Sequence, residues 1–285
     1  MSTDLVLQGN SAGIHSALTI LQTAYGKLPH NTTGVITRLH KVNDDAEFRA
    51  FVDGVCLTEQ VDYGFIDSGA RLSDYGLIVM DMDSTLITIE CIDEIADMVG
   101  IKAQVAAITE ATMRGEIANF EESLRRRVAL LAGLDEGALD RVYHERLQPS
   151  PGAETMLAAA RAAGLKTLLV SGGFTFFTEK LKARLNLDYA HANTLETAHG
   201  KLTGKVLGKI VDGNEKARLV QTTCELLNIP TSKAIVMGDG ANDLTMMKLA
   251  GISVAYHAKP VVRAQASHAI NFGGLDVMPG WFLPA

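Results

Sequence analysis

Apolar and polar positions change their spacing near residue 76. Before that point short apolar stretches alternate with helical periodicity. Leu5-Val6-Leu7 predicts a strand, Ser11 to Tyr25 a helix, Gly34 to Leu39 a second strand, Asp45 to Leu57 a second helix and Tyr63-Gly64-Phe65-Ile66 a third strand. This β-α-β-α-β order predicts a small α/β domain over residues 1–75, a sheet with helices on one side. It carries no catalytic constellation, so packing, regulation or assembly is its expected role.

From Gly76 onward the pattern is different. Gly76-Leu77-Ile78-Val79-Met80 is apolar without alternation, as suits a strand covered on both faces in a parallel sheet. Comparable runs recur at Thr167 to Val170 and Ala234 to Met237, with a weaker one at Ile252 to Ala255. Helical patterns at Gly152 to Ala163, Thr175 to Leu185, Glu215 to Leu227 and Asp243 to Ala250 separate them. The alternation predicts a doubly wound α/β domain over residues 76–285 with right-handed crossovers. Between about 90 and 149 only helical segments occur: Ile92 to Met98, Lys102 to Arg114, Phe120 to Leu131 and Glu136 to Glu145. Such an insert directly after the first core strand predicts a helical cap over the sheet edge. A second insert, Ala192 to Val211, predicts a hairpin around Lys201-Leu202-Thr203, bracketed by Gly200 and Gly204.

Composition narrows the class. The 285 residues are 47% hydrophobic and 21% charged, which excludes a disordered chain. Three scattered cysteines, Cys56, Cys91 and Cys224, supply neither a disulfide framework nor a four-cysteine zinc site and suggest reduced thiols in a cytoplasm. Asp4 with no basic cluster does not read as a signal peptide, and no apolar run reaches the length of a membrane span. A net charge of −7 offers no basic footprint for nucleic acid. A small-molecule partner is the expectation that remains.

Three predicted strands end in polar clusters at their carboxyl edge, where open α/β sheets bind ligands. These are Asp81-Met82-Asp83-Ser84-Thr85, Ser171-Gly172-Gly173-Phe174 and Gly238-Asp239-Gly240-Ala241-Asn242-Asp243. Asp81 and Asp83 would repel each other unless a cation or proton intervened, and Asp239 from a neighbouring strand could complete a site for Mg²⁺. Ser171-Gly172-Gly173 lets backbone N–H groups approach an anion at a helix start. Lys216, taken alone, reads as a surface residue.

Asp-x-Asp-x-Thr, a strand-end Ser, a downstream Lys and Gly-Asp-Gly-x-Asn-Asp, in this order, resemble the four motifs of the haloacid-dehalogenase-like superfamily of phosphatases. Glu90-Cys91-Ile92-Asp93-Glu94-Ile95-Ala96, Phe120 to Arg127 and Tyr256-His257-Ala258-Lys259-Pro260 extend the likeness to its phosphoserine phosphatases, over residues 76 to about 275. The resemblance implies a Rossmann-type core, a separate ACT-like N-terminal domain and Mg²⁺-dependent hydrolysis of phosphoserine, the last step of serine biosynthesis. It implies Asp81 as nucleophile, Asp83 as general acid and base, and Lys216, Ser171 and the Gly172 N–H on the phosphate. Asp81, Asp239 and the carbonyl of Asp83 would hold the metal, with Asn242 and Asp243 orienting the site. Glu90 would take the substrate ammonium and Arg127 its carboxylate, with Phe120 and Met113 lining the pocket. The residues alone do not choose among Arg125, Arg126 and Arg127; the resemblance selects the last. Two other readings stay open from sequence: a phosphatase or phosphotransferase for another small phospho-amino acid such as phosphohomoserine, and a phospho-accepting receiver. Homo-oligomer formation, where it occurs, is expected through the N-terminal domain.

Overall fold

The computed structural model describes residues 2–284. The N-terminal part runs β1 (Thr3–Gln8), α1 (Ser11–Tyr25), β2 (His30–Thr33), β3 (Ile36–Val42), α2 (Ala46–Glu59) and β4 (Asp62–Asp67). Asn10 and Asp45 cap the two helices by accepting from the amides of Gly13 and Phe48. The four strands pair antiparallel in the order β2-β3-β1-β4, a split β-α-β arrangement. Leu5, Leu7, Leu39, Phe48 and Val52 form a core between sheet and helices that belongs to this part alone. Strand β2 was not foreseen. Its residues His30-Asn31-Thr32-Thr33 are all exposed, so this edge strand has no apolar face to betray it.

Strand β5 (Leu77–Met80) opens the larger part and is completely buried. The cap follows as α3 (Cys91–Met98), α4 (Lys102–Met113), α5 (Phe120–Ala129) and α6 (Gly137–Glu145). The chain then returns through α7 (Ala153–Ala162), β6 (Lys166–Phe174), α8 (Thr175–Leu185), β7 (Tyr189–Ala198), β8 (Lys201–Leu207), α9 (Gly213–Leu226) and β9 (Ala234–Gly238). It ends with α10 (Leu244–Met247), β10 (Ile252–Tyr256), α11 (Pro260–Arg263), β11 (His268–Ile270) and α12 (Val277–Gly280). Strands β11-β10-β9-β5-β6-β7 are parallel, and β8 adds an antiparallel edge. Met80 pairs with both Leu169 and Met237, so Asp81, the Ser171 loop and Asp239 leave the sheet on one edge.

Two expectations need correction. The hairpin turns at His199-Gly200, both at positive φ (52° and 74°), and not around residues 201–203; Gly204 lies inside β8, pressed against Ala132 of the cap. The helix predicted over 243–250 is α-helical only over Leu244–Met247, after a 3₁₀ turn at Ala241–Asp243. Tyr63 of β4 pairs with Ala269 of β11, which joins the N-terminal strands to the parallel ones in one eleven-stranded sheet. Around that seam Asp62 accepts from the amides of Asn271, Phe272 and Gly273, and Arg38 donates to the carbonyl of Trp281. Trp281 itself is fully buried, so the C-terminal segment is docked.

Candidate active site

After β5 the chain makes one wide turn, Met82–Leu86, in which the Leu86 and Ile87 amides donate five residues back to the Asp81 and Met82 carbonyls. Turns of this kind inside helices concentrate at functional sites. Here it turns Asp81 and Asp83 into the same cleft. That cleft has a volume of about 350 Å³ and lies between the sheet edge and the cap. Asp81, Asp83, Glu90, Met113, Phe120, Arg127, Ser171, Gly172, Asp239 and Asn242 all line it. Lys216 and Asp243 are completely buried in its floor.

Lys216 dominates that floor. Its ammonium lies 2.7 Å from Asp81 Oδ1 and 2.7 Å from Asp243 Oδ1. Burial by itself would lower its pKa, but the Asp243 and Asp81 carboxylates outweigh burial and hold it protonated. It is therefore no surface lysine, as position alone suggested. Asp243 spends its second oxygen on the Gly240 amide, at 3.1 Å, so both its acceptors are engaged. Asp81 keeps one oxygen unpaired and open to the cleft.

The other acids are poorly compensated. Burial, then the charge of Glu90, lifts Asp83 to about 7, although the Cys91 amide donates to it at 3.1 Å. Burial, then Asp243 and Glu90, lifts Asp239 to about 6; its Oδ1 accepts only a long 3.4 Å bond from Thr85. Oxygens of Asp81, Asp239 and Asp243 come within 4.8 Å of one another. An all-oxygen, electron-rich cluster of this kind fits a hard metal ion.

The Ser171-Gly172-Gly173 segment is fixed from behind. Gly173 N–H donates to Ser171 Oγ at 2.8 Å, which leaves the hydroxyl proton free to donate outward. Asn193, buried on β7, donates to the Gly172 carbonyl and accepts from the Val211 amide, each at 2.8 Å. Both glycines are required by close approach. A Cβ at Gly172 would lie 2.8 Å from the Phe120 ring, and one at Gly173 would lie 2.9 Å from Asp83 Oδ2. Sequence reasoning missed Asn193, whose isolated position on a β-strand carries no motif.

The cap side resolves the three arginines. Arg125 is engaged by Glu121 at 2.9 Å and Arg126 by Glu122, both on the outer face of α5. Arg127, on the inner face with Phe120 seven residues earlier, lines the cleft and donates only a long 3.4 Å bond to the Ser123 carbonyl. Among the described residues no carboxylate is close enough to pair with it. Glu90 reaches in from the loop before α3, accepting from Ser84 Oγ at 2.7 Å. Lys259, also on the cleft wall, was not singled out from sequence. Cys91 is buried and its thiol is pushed well above the ordinary value, first by burial and then by Asp83, so it is no nucleophile. His257 bonds the Gly273 carbonyl at 2.8 Å, a structural contact.

Residues 78–248 match the haloacid dehalogenase-like hydrolase family. A phosphoserine phosphatase from Polaromonas sp. (strain JS666) is 59% identical over 210 residues, covering 72% of this chain and 89% of that protein. Among solved structures, a haloacid-dehalogenase-family hydrolase from Salmonella enterica serovar Typhi superposes with a TM-score of 0.90 at 32% identity, covering 99% of each chain. A probable phosphoserine phosphatase from Vibrio cholerae superposes with a TM-score of 0.83 at 36% identity, over 99% of this chain and 86% of that one.

Proposed function

The chain belongs to the haloacid dehalogenase-like hydrolases, and from that premise we infer that it hydrolyses O-phospho-L-serine to L-serine and phosphate. One observation carries the reading. A single cleft presents an unpaired carboxylate oxygen for a phosphorus atom, Glu90 for an ammonium and the free Arg127 for a carboxylate. These are the three charged groups of phosphoserine.

The geometry supports the following residue roles. Burial and then the Asp243 carboxylate push the Asp81 pKa well up; Lys216 opposes this, favouring the ionised form and orienting it. The free oxygen attacks phosphorus and forms an aspartyl-phosphate, dividing the hydrolysis into two easier steps. Asp83, with a pKa of about 7, is partly protonated at neutral pH and gives its proton to the departing serine alkoxide. It then takes a proton from the water that hydrolyses the intermediate. The Ser171 hydroxyl, the Gly172 amide and Lys216 bind the non-bridging phosphoryl oxygens where charge sits in the transition state. Asn242 and Asp243 keep this floor in place, Asp243 through Lys216. Phe120 and Met113 form the apolar part of the lid.

The donor set fits Mg²⁺, which we propose as the ion. Asp81, Asp239 and the main-chain carbonyl of Asp83 would hold it; Asp243, with both oxygens engaged, would not need to. When bound, the ion would offset negative charge on the phosphate and the three carboxylates. EDTA should abolish turnover and added Mg²⁺ restore it. We further propose that residues 1–75 form an ACT-like regulatory-type domain and a homo-oligomer contact, and that residues 76–285, with the cap at about 90–149, form the catalytic domain. A cytoplasmic enzyme of serine biosynthesis is the setting this reading supports. The test is phosphate release from phosphoserine beside phosphohomoserine, phosphoglycolate and glycerol phosphate. A clear preference for phosphoserine is expected, and equal turnover of the four would contradict it.

A further inference from the structure

Ser84 combines two features that its place in the motif does not explain. It sits at φ 56°, ψ 5°, a left-handed conformation that glycine adopts freely and serine does not. Its hydroxyl donates to Glu90 Oε1 at 2.7 Å, and among the described residues this is the only hydrogen bond to the Glu90 side chain. The turn holds Ser84 in this geometry through its amide, which donates to the Ile89 carbonyl at 3.2 Å.

The charged groups around Glu90 come from every neighbouring element: Asp93 on α3, Arg127 on α5, Lys259 before α11, and Asp83 and Asp239 on the sheet edge. None of them is close enough to fix its carboxylate directly. Ser84 is, and it is neutral. A lysine or arginine in its place would neutralise the charge and compete with an incoming ammonium. A hydroxyl orders one oxygen, leaves the other free and leaves the negative charge intact.

Building on the reading that Glu90 receives the substrate ammonium, we propose that Ser84 is a positioning residue for substrate selection, strained into the left-handed region so that its hydroxyl aims Glu90 at that ammonium. Glycine would relieve the backbone but lose the donor. Asparagine tolerates the left-handed conformation and keeps a donor in its side-chain amide.

The test compares three phosphate esters: phosphoserine, phosphoethanolamine (ammonium, no carboxylate) and 3-phosphonooxypropanoate (carboxylate, no ammonium). Ser84→Gly should raise KM for the first two by about tenfold, the scale of one lost charge-assisted hydrogen bond. It should leave kcat for them and KM for 3-phosphonooxypropanoate near the parent values, and Ser84→Asn should restore most of the loss. In a Glu90→Gln background, Ser84→Gly should add nothing. An equal loss on all three esters, a fall in kcat at constant KM, or a full additive effect in the Glu90→Gln background would overturn the proposal. Should the unmutated protein favour phosphoserine no more than 3-phosphonooxypropanoate, the assignment of Glu90 itself fails, and that shows without any variant.

Discussion

Lys216 shows how a single side chain can order a site that is otherwise all repulsion. Three carboxylates crowd one edge, and a fully buried ammonium joins two of them at 2.7 Å. A charge buried this deeply is tolerable only with such partners. At the opposite wall Arg127 has the reverse character, a guanidinium that faces the cleft and, among the described residues, pairs with no carboxylate. Arg127→Ala should therefore raise KM for phosphoserine by 10- to 100-fold, roughly 1.5–3 kcal/mol for a charged hydrogen-bonded contact, while KM for phosphoethanolamine changes little. Steady-state kinetics on both esters checks this, and an unchanged KM for phosphoserine would remove Arg127 from the carboxylate site. The acidic positions were legible because strand-end clusters of Asp carry their chemistry in their spacing. The choice of Arg127 among three adjacent arginines was not legible from periodicity, since it depends on which face of α5 meets the sheet. Ser84, Asn193 and Lys259 are marked out by one or two hydrogen bonds or by a position on the cleft wall, and nothing in residue type announces that.

At the scale of elements the site is a contact between two of them, the β6 loop and the cap helix α5. Gly172 brings the loop against Phe120 so closely that a methyl group there would lie 2.8 Å from the ring. The ring belongs to the cap, which can yield where the sheet cannot. Gly172→Ala should push α5 outward, raise KM several-fold and cost less than about 1 kcal/mol of stability. Kinetics alongside a thermal melt separates the two effects, and a large loss of melting temperature with normal KM would contradict it. Buried parallel strands such as β5 and β9 were readable as apolar runs, and the cap as a stretch with no strand pattern. Strands β2 and β11 were not, because four exposed polar residues and a three-residue segment beginning with His268 lack either signature. The hairpin turn was misplaced because glycine marks both a turn and a close approach; Gly200 serves the first and Gly204 the second.

The whole molecule is one sheet that carries three hydrophobic cores, and the seam between its N-terminal and catalytic strands is titratable. His268 stacks on Trp281 with ring centroids 4.9 Å apart, and its Nε2 lies 2.9 Å from the Phe65 carbonyl of β4. Burial drives its pKa down to about 4, with the Phe65 carbonyl opposing and Arg49 adding to the fall. The unfolded chain, with an ordinary histidine near 6.5, binds the proton more readily than the folded one. The stability that neutral His268 contributes is therefore complete above pH 6.5 and is lost as pH falls toward 4. Between pH 7 and 4.5 the parent should lose about 2–3 kcal/mol more than His268→Gln. Urea unfolding at the two pH values measures this, and equal losses would contradict it. The net charge of −7, which offers no basic footprint for nucleic acid, includes the carboxylates of the cleft, so whole-chain charge says little about this sheet edge. The most direct test of the central claim is steady release of phosphate from phosphoserine by the full chain and by Asp81→Asn. The account predicts sustained turnover by the parent and a loss of at least about a thousandfold in the variant, as expected when a covalent nucleophile is removed. Substantial turnover by Asp81→Asn, or a single stoichiometric phosphorylation of the parent with no further release, would contradict it.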